Sequence, residues 1–359
     1  MDISKIDKNF AIETKINREV VFFDAEEKPV SLHGIFKEEG DERFVRIPAS
    51  LAVNVNKGVN RLNYNTAGGR ARFKTNSKYI AIHTKMNAPS IMTHQAPAGS
   101  AGFDLYVNDG ELGERYLATY RPPIDVSDGF EGVVDTGFSD MREYTIHFPT
   151  YSGVNKLYIG LEPNALIEEP SEYTNKLPVV YYGSSITQGG CVSKPGDTYQ
   201  DVLSRRFNID YINLGFAGSA IAEDNIIDYI NNLDMSIFVY DYDHNSPNPN
   251  HLKQTHEKAF LKIREKHPEL PIIMMTRPRY VINADTEARL EVIKETYRNA
   301  KNRGDENVYL VTGRELMSLC KNEGTVDGVH PTSLGFFSMA TALEKVFEKI
   351  IEKNPKIFD

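Results

Sequence analysis

The sequence predicts a two-domain α/β protein, in which a β-sandwich or jelly-roll domain precedes a flavodoxin-like, doubly wound domain with a five-stranded parallel sheet. The chain has 359 residues, whereas a single core stops growing at about 250–300 residues. Residues before about 166 form short β-type segments separated by turns, and those after about 176 alternate apolar strands with amphipathic helices. We therefore place the first domain at 1–170 and the second at 177–359.

The first domain is predicted from its strand-like segments. Residues 79–84 are mostly β-branched, aromatic or small, and turn clusters such as 108–110 separate the segments. Apart from a weak N-terminal stretch, we find no helical period of useful length there. Many short strands with intervening turns are typical of a sandwich. The segments are REVVFFDA (18–25), RFVRIPA (43–49), RARFKTNSKYIAIHTKM (70–86), FDLYVND (103–109), REYTIHFPT (142–150) and KLYIGLE (156–162).

The second domain is predicted from a strand–helix alternation that follows a polar, linker-like segment at 167–176. One helix carries Leu290, Ile293, Tyr297 and Ala300 on a single face, and Gly304 ends it. The closing helix repeats this pattern, with Met339, Leu343, Val346 and Ile350 on one face. The predicted strands are 177–182, 209–214, 235–241, 271–276 and 308–311.

Composition excludes several classes of function. The net charge of −9 disfavours nucleic-acid binding and adhesion to anionic lipid, both of which need a basic face. Two cysteines far apart in the sequence favour a reducing compartment. The N-terminal residues have no apolar core of a signal peptide, and no run approaches the length of a membrane span. We therefore expect a cytoplasmic location.

A serine follows the first strand of the second domain. In the segment GSSITQGG at 183–190, Ser185 lies on a tight turn before a helix, where the helix dipole favours negative charge. A serine in that position is suited to nucleophilic attack. It could instead be part of a helix cap. A phosphate-binding loop is disfavoured because no Gly-Lys-Ser/Thr follows.

The second and third strands end in residues that could stabilise an oxyanion. Gly218, in NLGFAGS, would let the backbone approach a ligand, although an ordinary βα turn has the same composition. Asn245, in DYDHN, could donate its amide hydrogen. A calcium loop is excluded there because the sixth and twelfth positions are not glycine and glutamate. Zinc ligation by His244 and His251 stays open.

The loop before the closing helix reads DGVHPT at 327–332. Asp327 could accept a hydrogen bond from Nδ1 of His330, which would leave Nε2 free to take a proton from Ser185. By itself this segment could also be a helix-capping loop. Together with Gly218 and Asn245, these residues follow successive sheet elements, and ligands bind where the carboxyl ends of such strands meet.

These segments together resemble the SGNH hydrolases, also called the GDSL family, from residue 177 to the C-terminus. The turn GSS at 183–185 is similar to the Gly-Asp-Ser block, with Ser184 in place of the aspartate. Gly218 and Asn245 are similar to the glycine and the asparagine of the second and third blocks, although the third lacks the usual Gly-x-Asn-Asp form. The segment DGVHP at 327–331 is similar to the Asp-x-x-His-Pro block.

The resemblance implies an SGNH hydrolase fold and a role for each of five residues. Ser185 would be the nucleophile, His330 the base, and Asp327 the residue that orients the histidine. The backbone of Ser185 and Gly218, with the side chain of Asn245, would form an oxyanion hole. The implied chemistry is a two-step acyl transfer that requires no metal and no organic cofactor.

The first domain carries a second resemblance. The segment GFDLY at 102–106 is similar to the Gly-x-Asp-Leu-Tyr motif of a domain found upstream of a subset of these hydrolases. A β-sandwich ahead of such a hydrolase domain is also similar to several two-domain carbohydrate esterases.

We therefore expect a serine ester hydrolase, in the first place a carbohydrate O-acetyl esterase acting on acetylated oligosaccharides. Neither nucleic acid nor a membrane is expected as a partner, and a homo-oligomer stays open. One alternative is a lipase- or thioesterase-type hydrolase of non-carbohydrate acyl esters, which an acyl-chain-length series would distinguish. A non-catalytic carbohydrate-binding protein is the other, and it predicts a serine unreactive toward organophosphonates.

Overall fold

The computed structural model of the protein describes residues 14–89, 92–110 and 112–359. The expectations about an N-terminal targeting segment and a weak N-terminal helix refer mainly to residues 1–13, which lie outside the described residues. The chain forms two compact units. The first comprises the described residues up to Val45, then Tyr64–Glu172 and Ser193–Gly196, and the second comprises Arg46–Asn63, Tyr173–Val192 and Asp197–Asp359.

The first unit is built from two antiparallel sheets, as the sequence predicts. One sheet has the strand order β1-β9-β4-β7, and the other has the order β10-β3-β8-β5-β6, with β2 also paired to β3. Apolar side chains such as Phe73, Ile82 and Leu105 are buried together in one core of this unit. The strands are β1 (Val21–Asp24), β2 (Ser31–His33), β3 (Arg70–Thr75), β4 (Tyr79–Met86), β5 (Phe103–Asn108), β6 (Glu114–Tyr120), β7 (Glu131–Asp135), β8 (Arg142–His147), β9 (Val154–Leu161) and β10 (Ile167–Glu168).

Some details of the first half differ from the sequence-based expectation. The prediction of a strand at 43–49 is wrong. Only Val45 pairs there, with Phe36, and Pro48 directly precedes a helix. Strands β2, β6, β7 and β10 were not expected; β6 and β7 contain many partly or fully exposed residues, which weakens an apolar pattern. The expected linker at 167–176 begins instead as β10, in which Ile167 pairs with Thr75.

The second unit contains a five-stranded parallel sheet with the order β12-β11-β13-β14-β15. Its strands are β11 (Val179–Gly183), β12 (Tyr211–Gly215), β13 (Ile237–Asp241), β14 (Ile272–Met275) and β15 (Val308–Val311). All five predicted strands are confirmed, with ends shifted by at most two residues.

The α-helices of the described residues are α1 (Ala49–Val55), α2 (Lys57–Leu62), α3 (Pro97–Ser100, in the first unit), α4 (Ser185–Gln188), α5 (Tyr199–Phe207), α6 (Asp224–Asn231), α7 (Pro249–Lys266), α8 (Ala284–Asn302), α9 (Gly313–Leu316) and α10 (Ser333–Lys353).

Both faces of the parallel sheet are buried, because successive residues of β11 enter two different cores. Val180 and Tyr182 belong to the core that includes residues of α6, α7 and α8, whereas Val179 and Tyr181 belong to the core that includes residues of α5 and α10. Helices on both faces of a parallel sheet define a doubly wound fold. No helix within the described ranges is long and apolar enough to cross a membrane.

Two short segments each belong to the unit that is formed mainly by the other half of the chain. Residues 46–63, which form α1 and α2, join the second unit, and their Ile47, Ala52 and Val59 are part of its core. Conversely, Ser193–Gly196 belongs to the first unit. The domain boundaries predicted from the sequence, 1–170 and 177–359, assign neither segment to the unit to which it belongs. Each segment is short and is surrounded in the sequence by residues of the other unit.

Candidate active site

Ser185 is held at the carboxyl edge of the parallel sheet by the turn between β11 and α4. Ser184 caps the helix, since its hydroxyl accepts a hydrogen bond from the Ile186 amide at 3.2 Å. Gly183 is required by close packing, because a Cβ there would lie 2.0 Å from the backbone oxygen of Asp241. Gly189 ends the one-turn helix with φ 104°. The turn therefore fixes Ser185 as the first residue of α4.

Ser185, His330 and Asp327 form a continuous hydrogen-bonded series. The Ser185 hydroxyl is 2.9 Å from Nε2 of His330. Nδ1 of the same ring donates to Oδ2 of Asp327 at 2.7 Å. The residues predicted as nucleophile, base and orienting carboxylate are thus brought together, each within hydrogen-bond distance of the next.

The carboxylate of Asp327 is stabilised in its ionised form. Partial burial acts to raise its pKa, but the backbone N–H and the ring of His330, together with the backbone N–H of Val329, lower the pKa of Asp327 to about 2. Its Oδ1 accepts from the amides of His330 at 2.7 Å and Val329 at 2.9 Å. A carboxylate that remains charged at neutral pH can stabilise a positively charged imidazole beside it.

Gly218 and Asn245 follow β12 and β13, respectively, which are the two strands that flank β11 in the sheet. Gly218 has φ 66°, and apart from the glycine and its two chain neighbours no heavy atom of the described residues lies within 4 Å of the position that a Cβ would take. The Asn245 amide donates to the backbone oxygen of Phe216 at 2.8 Å, which fixes its side chain against the loop that carries Gly218. One hydrogen of that NH₂ group is used by this bond, and the second remains for another acceptor.

Polar side chains that sequence reasoning missed fasten α4 to the adjacent strands. The Thr187 hydroxyl donates to Asp241 at 2.9 Å, and its backbone oxygen accepts from Asn213 at 2.7 Å. Gln188 accepts from the amide of Ala217 at 3.0 Å. Burial, then repulsion from Asp243, raises the pKa of Asp241 well above its ordinary value. In the sequence, the only sign of these polar residues is that each stands among apolar residues near the end of a strand.

Arg46, from the exchanged segment 46–63, supports the loop that carries Gly218. Its buried guanidinium donates to the backbone oxygens of Gly215 at 2.6 Å and Leu62 at 2.7 Å, and it lies 4.5 Å from the ring centre of Phe216. Because its partners are backbone oxygens, no residue type in the sequence marks them. In the sequence, Arg46 is therefore recognisable only as part of the expected strand at 43–49.

Other polar residues lie after β13 and β14. Arg277 interacts with Asp243 and Asp285. Burial, followed by the charges of Arg277, Arg279 and His330, lowers the pKa of His244 well below its ordinary value, so this ring is neutral. The buried Nε2 of His244 and the buried Nε of Arg279 have no hydrogen-bond partner among the described residues.

Zinc ligation, which the sequence left open for two histidines, finds no support in the geometry. His251 pairs its Nδ1 with the Ser246 hydroxyl at 3.0 Å. In the described parts of the chain, neither His244 nor His251 belongs to a group of three or more residues close enough to share a metal ion.

A hydroxyl, an imidazole and a carboxylate in hydrogen-bonded order at the carboxyl edge of a parallel sheet are the arrangement found in serine hydrolases. The sequence profile of the GDSL-like lipase/acylhydrolase family matches residues 176–348. A second profile, GxDLY, which describes the N-terminus of SGNH-hydrolase-type esterases, matches residues 20–167. The chain belongs to this family of two-domain SGNH esterases, and it is a carboxylic ester hydrolase.

Solved structures with a similar fold include a GDSL-like lipase from Bacteroides ovatus, with 27% identity, a TM-score of 0.83, and coverage of 93% of this chain and 98% of that one. The salicylyl-acyltransferase SsfX3 from a tetracycline biosynthetic pathway has 19% identity, a TM-score of 0.73, and coverage of 92% and 97%. A family two carbohydrate esterase from Clostridium thermocellum, in complex with cellohexaose, has 11% identity, a TM-score of 0.59, and coverage of 80% and 93%. The last two likenesses concern the fold alone. None of the curated proteins compared with the chain matches it.

Proposed function

We propose that the protein is a carbohydrate O-acetyl esterase that removes acetyl groups from oligosaccharides with Ser185 as nucleophile. The observation that carries the catalytic part is the 2.9 Å separation between the Ser185 hydroxyl oxygen and Nε2 of His330. This separation is within the range over which a general base takes a proton. Asp327, hydrogen-bonded to the opposite ring nitrogen, keeps Nε2 directed at the serine.

The reaction has two acyl-transfer steps. Nε2 of His330 accepts the Ser185 proton while Oγ attacks the ester carbonyl carbon, and the imidazolium is stabilised by Asp327. The same nitrogen then gives the proton to the departing alcohol oxygen, which leaves an acyl group on Ser185. Water, deprotonated by His330, attacks that acyl group, and the proton returns to Ser185 as the acid is released.

The negative oxygen formed in each step needs hydrogen-bond donors. We assign this role to the backbone N–H groups of Ser185 and Gly218 and to the Asn245 amide. The resemblance of these three segments to the SGNH hydrolases implies the same role. The bond from Asn245 to the oxygen of Phe216 supports this assignment, because it holds the side chain in one orientation before substrate binds. Preorganised donors lose little orientational freedom when the charge develops.

The choice of a sugar ester rests on two further supports. The fold is shared with a family two carbohydrate esterase that was solved with cellohexaose. The N-terminal GxDLY domain precedes the hydrolase domain, as in a two-domain esterase.

The test is an acetate-release assay on a panel of acetylated xylo- and manno-oligosaccharides, read by mass spectrometry. Wild type should remove acetyl groups, and Ser185→Ala should remove none above background. Ser236→Ala is the matched control, because it deletes a buried serine hydroxyl of the same unit that has no hydrogen-bond partner among the described residues. If wild type leaves every acetylated sugar intact but hydrolyses longer acyl esters, the carbohydrate assignment is wrong.

A second candidate is a hydrolase of acyl esters with an extended apolar chain. It is favoured by two exposed apolar side chains that flank the histidine loop, Val326 at 46% and Leu334 at 53% exposure. Such side chains could contact an acyl chain. Nitrophenyl esters from acetyl to decanoyl separate the candidates: the acetyl esterase should lose kcat/KM with each added length, and the second candidate should gain it.

A further inference from the structure

The Gly-x-Asp-Leu-Tyr segment contains a buried carboxylate that the proposed reaction does not use. Asp104 lies on β5 directly opposite His147 on β8, and neither side chain is more than 4% exposed. Oδ1 of Asp104 accepts from Nδ1 of His147 at 2.8 Å. Its Oδ2 accepts the backbone N–H of Gly196, also at 2.8 Å. The carboxylate therefore joins a strand of the sandwich to the segment Ser193–Gly196.

The segment Ser193–Gly196 fits closely against this strand. A Cβ at Gly196 would lie 2.7 Å from a ring carbon of Tyr106 and 3.0 Å from Oδ2 of Asp104, so the backbone reaches the carboxylate only because residue 196 is glycine. The Lys194 ammonium donates to the Tyr106 hydroxyl at 3.1 Å. Both polar side chains of the motif are thus bonded to the same four-residue segment.

The next residue along the chain reaches the loop that carries the base. Asp197 is bonded covalently to Gly196, and its Oδ2 accepts from the Ser333 hydroxyl at 2.6 Å. Ser333 is the first residue of α10 and follows His330 by three positions. The same loop is closed by the bond from the amide of Val326 to the oxygen of His330 at 3.0 Å. A displacement of Asp197 would therefore disturb the start of α10 and the ring of His330.

We propose that Asp104 is a positioning residue for ester hydrolysis, because it anchors the backbone at Gly196 and thereby fixes Asp197, which holds Ser333 beside the loop of His330. The proposal rests on the proposed function, since His330 is taken as the base. Asp104 acts through the chain and not on substrate. The polar residues of the GxDLY motif therefore serve to hold the segment that joins the nucleophile turn to α5.

The chemistry of the carboxylate gives a specific way to break this anchor. Asp104 accepts from two N–H donors with two different oxygens. In Asp104→Asn the side chain has one oxygen and an NH₂ group, so either one of the two donors faces the NH₂ group or the His147 ring has to take its other tautomer. Both changes weaken the buried arrangement, and the segment at Gly196 should shift or loosen. Substrate contacts are not touched by this change.

The sandwich offers a matched control in a second histidine–carboxylate pair. Nδ1 of His83 is 2.7 Å from Oε1 of Glu131, on strands β4 and β7 of the other sheet. Glu131→Gln makes the same chemical change as Asp104→Asn. Glu131 accepts from His83 and from the amide of Lys15, and none of these residues lies in Ser193–Gly196.

The experiment compares kcat and KM for acetyl-ester hydrolysis in wild type, Asp104→Asn and Glu131→Gln, with amide hydrogen exchange on the same samples. For Asp104→Asn we expect kcat about tenfold lower with KM changed less than about twofold, since small misplacements of a catalytic group reduce the rate but not binding. Exchange should become faster at 193–197 and also at 328–334. Glu131→Gln should keep the wild-type kcat and the wild-type exchange in both segments.

Ser333→Ala, which breaks the far end of the connection without altering the sandwich, keeps the test decisive if Asp104→Asn does not fold. It should lower kcat with KM retained. Equal kcat losses in Asp104→Asn and Glu131→Gln, or an unchanged kcat in Ser333→Ala, would overturn the proposal. If wild type hydrolyses no ester, the proposed function fails. The exchange data then decide this inference separately: faster exchange at 193–197 without any change at 328–334 rejects it.

Discussion

Two histidine–carboxylate pairs in the molecule have nearly the same hydrogen-bond length and opposite surroundings. His330 and Asp327 are 2.7 Å apart in an exposed loop, with side chains 23% and 38% exposed. His147 and Asp104 are 2.8 Å apart on adjacent strands, with side chains 4% and 0% exposed. The first pair lies three residues apart in sequence and the second forty-three.

The difference concerns what else each pair contacts. Nε2 of His330 faces the hydroxyl of Ser185, and the ring is partly exposed. The carboxylate of Asp104 uses its second oxygen on the backbone at Gly196. A short histidine–carboxylate bond therefore does not by itself indicate catalysis. What distinguishes the pair proposed for catalysis is the Ser185 hydroxyl on the far side of the ring.

The strongest test of this contrast is the pair of substitutions His330→Gln and His147→Gln. Loss of the base should lower kcat for acetyl-ester hydrolysis by about 10⁴-fold or more, as in other serine hydrolases. Loss of the buried histidine should lower the free energy of unfolding instead, because the carboxylate of Asp104 loses a buried donor.

Chemical denaturation and steady-state kinetics on both variants measure the two effects. His330→Gln should unfold close to wild type, since the ring is partly exposed. If His147→Gln lost as much activity as His330→Gln while remaining equally stable, the distinction between the two pairs would fail.

Asp327→Asn should have the next largest effect. An amide can no longer stabilise the imidazolium that forms on His330 and favours the wrong ring tautomer, so kcat should fall by about 10²–10⁴-fold. KM should change little, because Asp327 lies behind the ring. Asp285→Asn, at a partly exposed aspartate that pairs with Arg277 in the same unit, is the control and should keep most of the activity.

The lowered pKa of Asp327 also fixes the sign of a stability effect. A carboxylate whose folded-state pKa is about 2 contributes stability that is fully present above its unfolded-state pKa of about 3.9 and is lost as the pH falls toward 2. The difference in unfolding free energy between wild type and Asp327→Asn should be constant from pH 5 to 8 and should shrink below pH 4. A difference that grew on acidification would contradict the assigned hydrogen bonds.

The sequence allowed the site to be predicted where the relevant contacts are local. Ser185 lies on its own turn, and Asp327 and His330 are three residues apart, so the sequence predicted that these residues lie close together, and the family resemblance implied their roles. The strands of the second unit carry long apolar runs that are buried on both faces, and their positions were predicted within two residues.

The parts that could not be predicted depend on distant or backbone partners. Arg46 binds carbonyl oxygens at Gly215 and Leu62, which any residue type could supply. Asp104 accepts a hydrogen bond from the backbone N–H of Gly196, and the glycine is the only sign of this contact in the sequence. Residues 46–63 form helices of six and seven residues, too short for a clear helical period.

Asn245→Ala should reduce kcat by about 10²–10³-fold if its amide stabilises the oxyanion, with a smaller effect on KM. The same change at Asn248 is the control, because that side chain caps α7 by accepting from the His251 amide at 2.9 Å. Asn248→Ala should lose stability but keep kcat. Equal kcat values for the two variants would remove Asn245 from the proposed oxyanion hole and leave the role to backbone donors.

The smallest predicted effect concerns a third histidine, for which no carboxylate partner is found among the residues that the structure describes. His256 is buried on α7, with Nδ1 2.9 Å from the hydroxyl of Thr296, and burial lowers its pKa to about 3. Between pH 6.5 and 3 the unfolded chain binds a proton at this position and the folded chain does not. Stability must therefore fall as the pH is lowered through this range, with a slope of up to about 1.4 kcal/mol per pH unit from this group.

In His256→Asn, which cannot titrate, this part of the slope should disappear, whereas the same substitution at the partly exposed His251 should leave it in place. Urea unfolding at pH 7, 6, 5 and 4 measures the slopes, and parallel curves for wild type and His256→Asn would show that the buried ring is already protonated in the folded protein.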